Sequence, residues 1–72
     1  MAITLYTIPA CPFSDALREQ LKQRGAAFTE VDVQARPERL PELAKLTGRR
    51  RIVPVLVDGT RILVAPEGGT TF

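Results

Sequence analysis

The chain has 72 residues, of which 44% are hydrophobic and 25% charged, a composition typical of one small globular domain. Ten basic and eight acidic residues give a net charge of +2, which does not favour nucleic acid as a partner. One cysteine and no histidine exclude an internal disulfide and histidine-based acid–base catalysis, and they argue against a zinc site.

The apolar runs are short throughout the sequence. A transmembrane helix needs about 20 mostly apolar residues, and a secretory signal needs an apolar core of its own. We therefore expect a cytoplasmic protein without a membrane partner, formed by a single domain over residues 1–72.

The first two predicted elements meet at the cysteine. Residues 3–8 alternate with period two and are rich in β-branched side chains, which predicts a strand. An apolar stripe at helical spacing then predicts a helix. That stripe comprises Phe13, Ala16, Leu17 and Leu21. Gly25 is suited to the left-handed cap that ends such a helix.

The same two elements recur in the middle of the chain. The sequence predicts a strand over residues 28–33 and a helix over residues 38–47. Pro41 fits only in the first turn of that helix, because a proline further along would break it. Gly48 is expected to end the helix.

The third segment predicts a hairpin. Residues 52–57 are apolar nearly throughout, as in a central strand buried on both faces. Asp58-Gly59 signals a tight turn, after which residues 61–64 return antiparallel. Since proline is disfavoured inside a central strand, a cis peptide bond before Pro54 is expected.

These elements predict an α/β fold in the order β-α-β-α-β-β with a four-stranded mixed sheet. The first two strands should be parallel because a helix joins them. Residues 65–72 show no periodicity and are expected to form an irregular tail.

Cys11 lies on the turn between the first strand and the first helix. The unpaired N–H groups and the positive end of the helix dipole favour a thiolate at this position. Pro12 fits the first helical position, and Ser14 can donate a hydrogen bond to the thiolate. Cys11 and Ser14 are therefore candidate catalytic residues. The alternative interpretation is that Cys11 is a small buried hydrophobic residue.

Three short motifs follow one another along the chain: Cys11-Pro12-Phe13-Ser14 after the first strand, Val53-Pro54 in the third, and Asp58-Gly59 at the hairpin. Together they resemble the glutaredoxins of the thioredoxin superfamily, over about residues 3–64. The resemblance implies a truncated thioredoxin/glutaredoxin fold, because no third helix is predicted after the hairpin.

The resemblance also implies roles for individual residues. Cys11 would be the nucleophile, Pro54 would be cis and face it, and glutathione would pair with the Val53 backbone. Ser14 stands where dithiol members have a second cysteine, so the chain matches the monothiol pattern. Pro12 and Phe13, beside the thiol, are implied glutathione contacts.

Further glutathione contacts follow from the family pattern. A basic residue at the start of the second helix holds a glutathione carboxylate, a role open to Arg36 or Arg39. Arg51, in a run of three arginines, would supply the charge of a family lysine that this chain lacks. Gly69 and Thr70 resemble the glycine-rich stretch that holds the glutamyl end of glutathione.

The ending is similar to that of small bacterial glutaredoxin-like proteins. In these, Gly-Gly precedes a selenocysteine or cysteine three positions from the C-terminus, and here Thr70 takes that position. This resemblance implies that the second chalcogen is lost and that the tail is chemically silent.

The resulting functional hypothesis is a glutathione-linked thiol–disulfide oxidoreductase that uses Cys11 alone on glutathionylated proteins. Glutathione would be a co-substrate, and no cofactor is expected to bind tightly. One alternative is a carrier of a [2Fe-2S] cluster held by two Cys11 thiolates and two glutathiones, although Pro12 replaces the glycine usual in such carriers. Another alternative is a non-catalytic interaction domain.

The predicted fold leaves apolar surface uncovered. One helix cannot cover the face of a four-stranded sheet, so residues 52–57 and 62–64 should be partly bare beside the first helix. Such a patch is typical of an interface, which favours a homodimer through this face. The other possibility is that residues 65–72 fold back and place Phe72 over the patch.

Overall fold

The computed structural model describes residues 2–72. It contains six strands, two α-helices and one turn of 3₁₀ helix. In chain order these are β1 (Ile3–Thr7), α1 (Pro12–Gln23), β2 (Thr29–Asp32), the 3₁₀ turn (Pro37–Arg39), α2 (Leu40–Thr47), β3 (Ile52–Val53), β4 (Val55–Asp58), β5 (Arg61–Val64) and β6 (Thr70–Thr71).

Four strands form the main sheet in the order β2-β1-β4-β5. β1 and β2 are parallel, while β4 is antiparallel to both β1 and β5. The predicted mixed sheet and the parallel first pair are thus confirmed. Asp58 pairs with Arg61 across the hairpin, and Gly59 begins the turn between them with a φ of 62°, a conformation that favours glycine.

The two helices cover opposite faces of this sheet. Successive side chains of a strand point to opposite faces, so Leu5 and its neighbour Tyr6 belong to separate core clusters. Leu5 packs with Leu17 and Leu21 of α1 and with Leu56. The other cluster lies on the side of α2 and comprises Tyr6, Ile8, Cys11, Val31, Val33, Leu43, Val53 and Val55.

The first helix begins where the sequence predicts but presents a different stripe to the core. Its buried residues are Ser14, Leu17 and Leu21. The prediction that Phe13 and Ala16 lie in the core stripe is wrong, since Phe13 is 40% exposed and Ala16 is exposed as well. The Phe13 ring lies against Gly68 of the tail instead. The two are so close that a Cβ on Gly68 would come within 2.7 Å of the ring.

The second helix begins later than predicted. Residues 37–39 form the 3₁₀ turn, and the α-helix follows with Pro41 in its first turn, where its missing N–H breaks no hydrogen bond. Gly48 ends the helix with a φ of 69°, and its N–H donates to the Ala44 carbonyl. This is the predicted left-handed cap.

The predicted single strand over residues 52–57 is wrong, because Pro54 interrupts it. The Val53–Pro54 peptide bond is cis, as predicted. β4 continues in the main sheet, whereas β3 leaves it and pairs with β6 in a separate two-stranded sheet. The prediction of an irregular tail is therefore wrong for Thr70 and Thr71, which form β6.

After Thr47, the described part of the chain contains no further helix. Neither helix within residues 2–72 has the length and apolar character needed to cross a bilayer. The expectation that residues 52–57 are partly bare is wrong for Val53, Val55 and Leu56, which are buried. On the edge strand β5, Leu63 lies opposite Leu56 on the side of α1 and is exposed, while Phe72 packs against the cluster on the side of α2. The tail therefore does not cover the α1 face, and a homodimer through that face stays a prediction.

Candidate functional site

Cys11 occupies the N-cap of α1, directly after a sharp turn. Ala10 has a φ of 58°, an uncommon conformation for a residue other than glycine and one that turns β1 into the helix. The Cys11 carbonyl accepts the first helical hydrogen bond, from the Asp15 N–H at 3.0 Å. The side chain is 0% exposed and lies in the core cluster on the side of α2.

The thiol is held in an environment that favours its ionised form. Burial raises the pKa of Cys11, but hydrogen bonds to the sulfur outweigh that effect and bring the pKa below its ordinary value. The donors are the hydroxyls of Ser14 and Thr70 and the backbone N–H groups of Ser14 and Phe13. Groups at a helix N-terminus thus stabilise the thiolate as the sequence predicts.

Ser14 is the strongest of these donors. Its side chain is fully buried, and its hydroxyl has no hydrogen-bond partner within residues 2–72. A buried polar group without a partner costs about 1–3 kcal/mol. The hydroxyl gains a charged acceptor when Cys11 loses its proton, so ionisation relieves an unfavourable arrangement.

The second hydroxyl comes from the C-terminal tail. As a thiol, Cys11 donates to Thr70 Oγ1 at 3.2 Å, and as a thiolate it accepts from the same hydroxyl, so this tail residue touches the sulfur directly. The contact depends on β6, in which Thr70 lies opposite Val53. Gly69 allows the close approach, because a Cβ there would lie 2.6 Å from the Val53 carbonyl oxygen.

Three further contacts hold the tail in place. The Phe72 N–H donates to the Arg51 carbonyl at 3.0 Å, and the Arg51 guanidinium lies 4.9 Å from the centroid of the Phe72 ring, within cation–π range. Gln20 of α1 donates to the Glu67 carboxylate at 2.9 Å. Sequence patterns do not reveal these contacts, although the β-branched pair Thr70-Thr71 is a weak signal for a strand.

The comparisons with known proteins agree with this geometry. The family model for glutaredoxin matches residues 3–62. The chain belongs to the glutaredoxin family. Glutaredoxins from Neisseria meningitidis serogroups A and B are each 30% identical to it over 61 residues, which cover 83% of this chain and 72% of theirs.

A solved structure extends the likeness to nearly the whole chain. The glutaredoxin-like protein NrdH-redoxin from Escherichia coli, whose structure was determined to explain its thioredoxin-like activity profile, matches with a TM-score of 0.75 and 29% identity. The match covers 96% of this chain and 83% of that chain. The present protein is thus a glutaredoxin-like redox protein with the thioredoxin/glutaredoxin fold.

Of the two arginines that the glutaredoxin resemblance implies at the second helix, Arg39 is held by an ion pair and, within the described residues, Arg36 is not. Arg39 is bound to Glu42 by two hydrogen bonds of 3.0 and 2.8 Å, and the buried Tyr6 hydroxyl also donates to that carboxylate. These contacts lower the pKa of Glu42, mainly through Arg39. Arg36 is exposed, and within residues 2–72 it forms no salt bridge.

The remaining residues implied by the glutaredoxin resemblance differ in their exposure and in their contacts. Pro12 is exposed at the first helical position, and Phe13 lies beside Gly68. Pro54 is fully buried, and its carbonyl accepts the Ala65 N–H at 2.8 Å. The structure therefore brings Thr70 and Ser14 to the sulfur, while contacts with glutathione stay predictions.

Removal of either hydroxyl donor should raise the pKa of Cys11. We expect the midpoint of the pH dependence of iodoacetamide alkylation to move to higher pH in Ser14→Ala and, by a smaller amount, in Thr70→Val, because Ser14 is the stronger donor. Thr71→Ala, which changes an exposed neighbour, should keep the wild-type midpoint. Equal midpoints in all four proteins would contradict the assignment of the two donors.

A cysteine at position 70 should form a disulfide with Cys11. The 3.2 Å between the Cys11 sulfur and Thr70 Oγ1 leaves only a small movement to the S–S bond length of about 2.05 Å. Mild oxidation of Thr70→Cys should remove two hydrogen atoms from the intact monomer, as measured by mass spectrometry. Thr71→Cys is the matched control and should keep both thiols free.

Proposed function

We propose that the protein is a glutathione-linked thiol–disulfide oxidoreductase that uses Cys11 as its single nucleophile. The observation that carries this proposal is the position of Cys11 at the N-cap of α1, where Ser14 and backbone N–H groups hold its pKa below the ordinary value. A thiolate is both the better nucleophile and the better leaving group, and exchange requires both properties.

The proposed reaction is an exchange in two steps. The Cys11 thiolate attacks the glutathione sulfur of a protein–glutathione disulfide, so that the mixed S–S bond breaks and the protein thiolate leaves and takes up a proton. The thiolate of a second glutathione then attacks the Cys11–glutathione disulfide. This step restores the Cys11 thiolate and releases glutathione disulfide, which carries the two electrons' worth of oxidation removed from the substrate.

A monothiol mechanism follows from the composition of the site. The chain has one cysteine, and the buried Ser14 lies where a second thiol would be needed to resolve a mixed disulfide within the protein. Regeneration must therefore come from an external thiol. The thioredoxin-like activity profile named for NrdH-redoxin is accordingly not proposed for this chain.

Burial of the thiol favours a second candidate function. Because Cys11 is fully buried, the chain would also suit a non-catalytic interaction domain in which the cysteine only fills the core. The two functions differ in whether Cys11 reacts with disulfides at neutral pH.

Exposure to glutathione disulfide at neutral pH tests the proposed function. We expect mass spectrometry to detect one glutathionyl group on the protein, with Cys11→Ser remaining unmodified. Cys11→Ser should also lower the deglutathionylation of a glutathionylated peptide to the uncatalysed background. Lys45→Ala, on an exposed position of α2, should retain wild-type activity. A wild-type protein that stays unmodified would favour the interaction domain.

Ser14→Cys should convert the site into a dithiol. Residues three apart at the start of a helix are neighbours on one face, so Cys11 and the new thiol can bridge with little backbone movement. We expect this variant to reduce protein disulfides such as those of insulin, measured by turbidity with dithiothreitol as the reductant. Asp15→Cys, on an exposed position of the same turn, should lack this gain.

A further inference from the structure

The C-terminal strand occupies the free backbone edge beside the thiol. The Phe72 N–H donates to the Arg51 carbonyl, and hydrogen-bonded pairs alternate along an antiparallel ladder. The next hydrogen-bonded pair is therefore Val53 with Thr70, which lie opposite each other. Val53 thus gives both of its backbone groups to the protein's own tail.

The same strand covers the reactive sulfur. Thr70 places its side-chain oxygen 3.2 Å from the Cys11 sulfur, and the thiol is completely buried. An attack on a disulfide needs contact between the Cys11 sulfur and the incoming sulfur, with the leaving sulfur beyond it in line. The buried Cys11 sulfur, covered on one side by Thr70, offers no such contact. The reaction proposed above therefore requires this segment to move.

Gly69 adds a steric condition for any chain that takes the place of β6 along the Val53 backbone. A Cβ at this position would lie 2.6 Å from the Val53 carbonyl oxygen and 2.8 Å from the Ala65 Cβ, and neither of these neighbours belongs to β6. An occupant that takes the place of the tail, with its sulfur at the position of the Thr70 side chain, meets the same two neighbours. It therefore needs an unbranched carbon before its cysteine.

We propose that residues 68–72 take, in cis, the place of the substrate along the Val53 backbone beside Cys11, so that β6 must separate from β3 before Cys11 reacts, and that the incoming substrate needs an unbranched carbon at the place of Gly69. Glycine meets this condition, as does the γ-linked glutamyl group of glutathione, in which a CH₂ group precedes the cysteine amide. An α-linked residue with a side chain does not. The proposal rests on the proposed function only for its account of the substrate.

Alkylation of Cys11 by iodoacetamide tests the covering role without glutathione. The alkylation rate constant is extrapolated to high pH, where Cys11 is fully ionised, so that a change in pKa does not affect it. It should rise about tenfold or more when residues 70–72 are deleted. A tenfold rise corresponds to a free energy of about 1.4 kcal/mol for the opening of β6 in the wild type. Gly69→Ala should have the same effect, since its Cβ cannot fit while β6 is paired. Thr71→Ala, which leaves the pairing intact, should match the wild type.

Hydrogen exchange of the wild-type protein provides a second measurement of the same opening. The Phe72 amide donates to the Arg51 carbonyl next to the β3–β6 ladder. The factor by which this pairing slows its hydrogen exchange should equal the factor by which alkylation of Cys11 is slower in the wild type than in the deletion variant. Equal thiolate rate constants in the wild type, the deletion and Gly69→Ala would overturn the covering role. The covering role would also be overturned if Cys11 alkylation were slowed by a factor well above that for exchange of the Phe72 amide.

The substrate condition is tested with symmetrical peptide disulfides on the chain that ends at Gly69. Cys11 should form mixed disulfides with Gly-Cys-Gly at least about tenfold faster than with Val-Cys-Gly, a ratio that corresponds to 1.4 kcal/mol. In each reaction the Cys11 thiolate displaces one peptide thiolate, which takes up a proton. Equal rates would overturn the steric condition. Fast alkylation without any reaction of disulfides would reject the proposed function and leave the covering role standing.

Discussion

The antiparallel pairing of β3 with β6 is the contact on which the site depends. Since Pro54 separates β3 from the main sheet, the backbone edge of Val53 would otherwise be open, and open edges readily accept another strand. Pairing with Thr70 fills that edge and carries a hydroxyl to the Cys11 sulfur. The two-residue ladder of β3 and β6 thus both covers the thiol and supplies a hydrogen bond that affects its pKa.

These two effects act in opposite directions on the reactivity of the thiol. The tail lowers the pKa of Cys11 through Thr70, but it also buries the sulfur, and burial raises the pKa. Ser14, the stronger donor, belongs to α1 and stays beside the sulfur when the tail moves. Opening therefore exposes the thiol, removes part of the desolvation and keeps the larger hydrogen-bond contribution to the thiolate.

Residues 65–72 form a short strand and turns instead of a helix. Residues 65–72 include Pro66 and two glycines, which disfavour a helix. A strand of two paired residues satisfies its backbone hydrogen bonds with far fewer residues than a helix needs. Phe72 adds apolar contact with the core cluster on the side of α2. Arg51, which the family resemblance assigns to glutathione, lies on the Phe72 ring.

The sequence by itself determined the order of the main elements, the parallel first pair, the hairpin and the position of Cys11 before a helix, because periodicity, caps and turn residues are local signals. It also identified Ser14 as a donor from its spacing alone. Only the tertiary structure decided that Phe13 turns outward to the tail and that Thr70 reaches the thiol. The pairing of Val53 with Thr70 joins residues far apart in the chain, and its register depends on how Pro54 and the core direct β3, which no local pattern encodes.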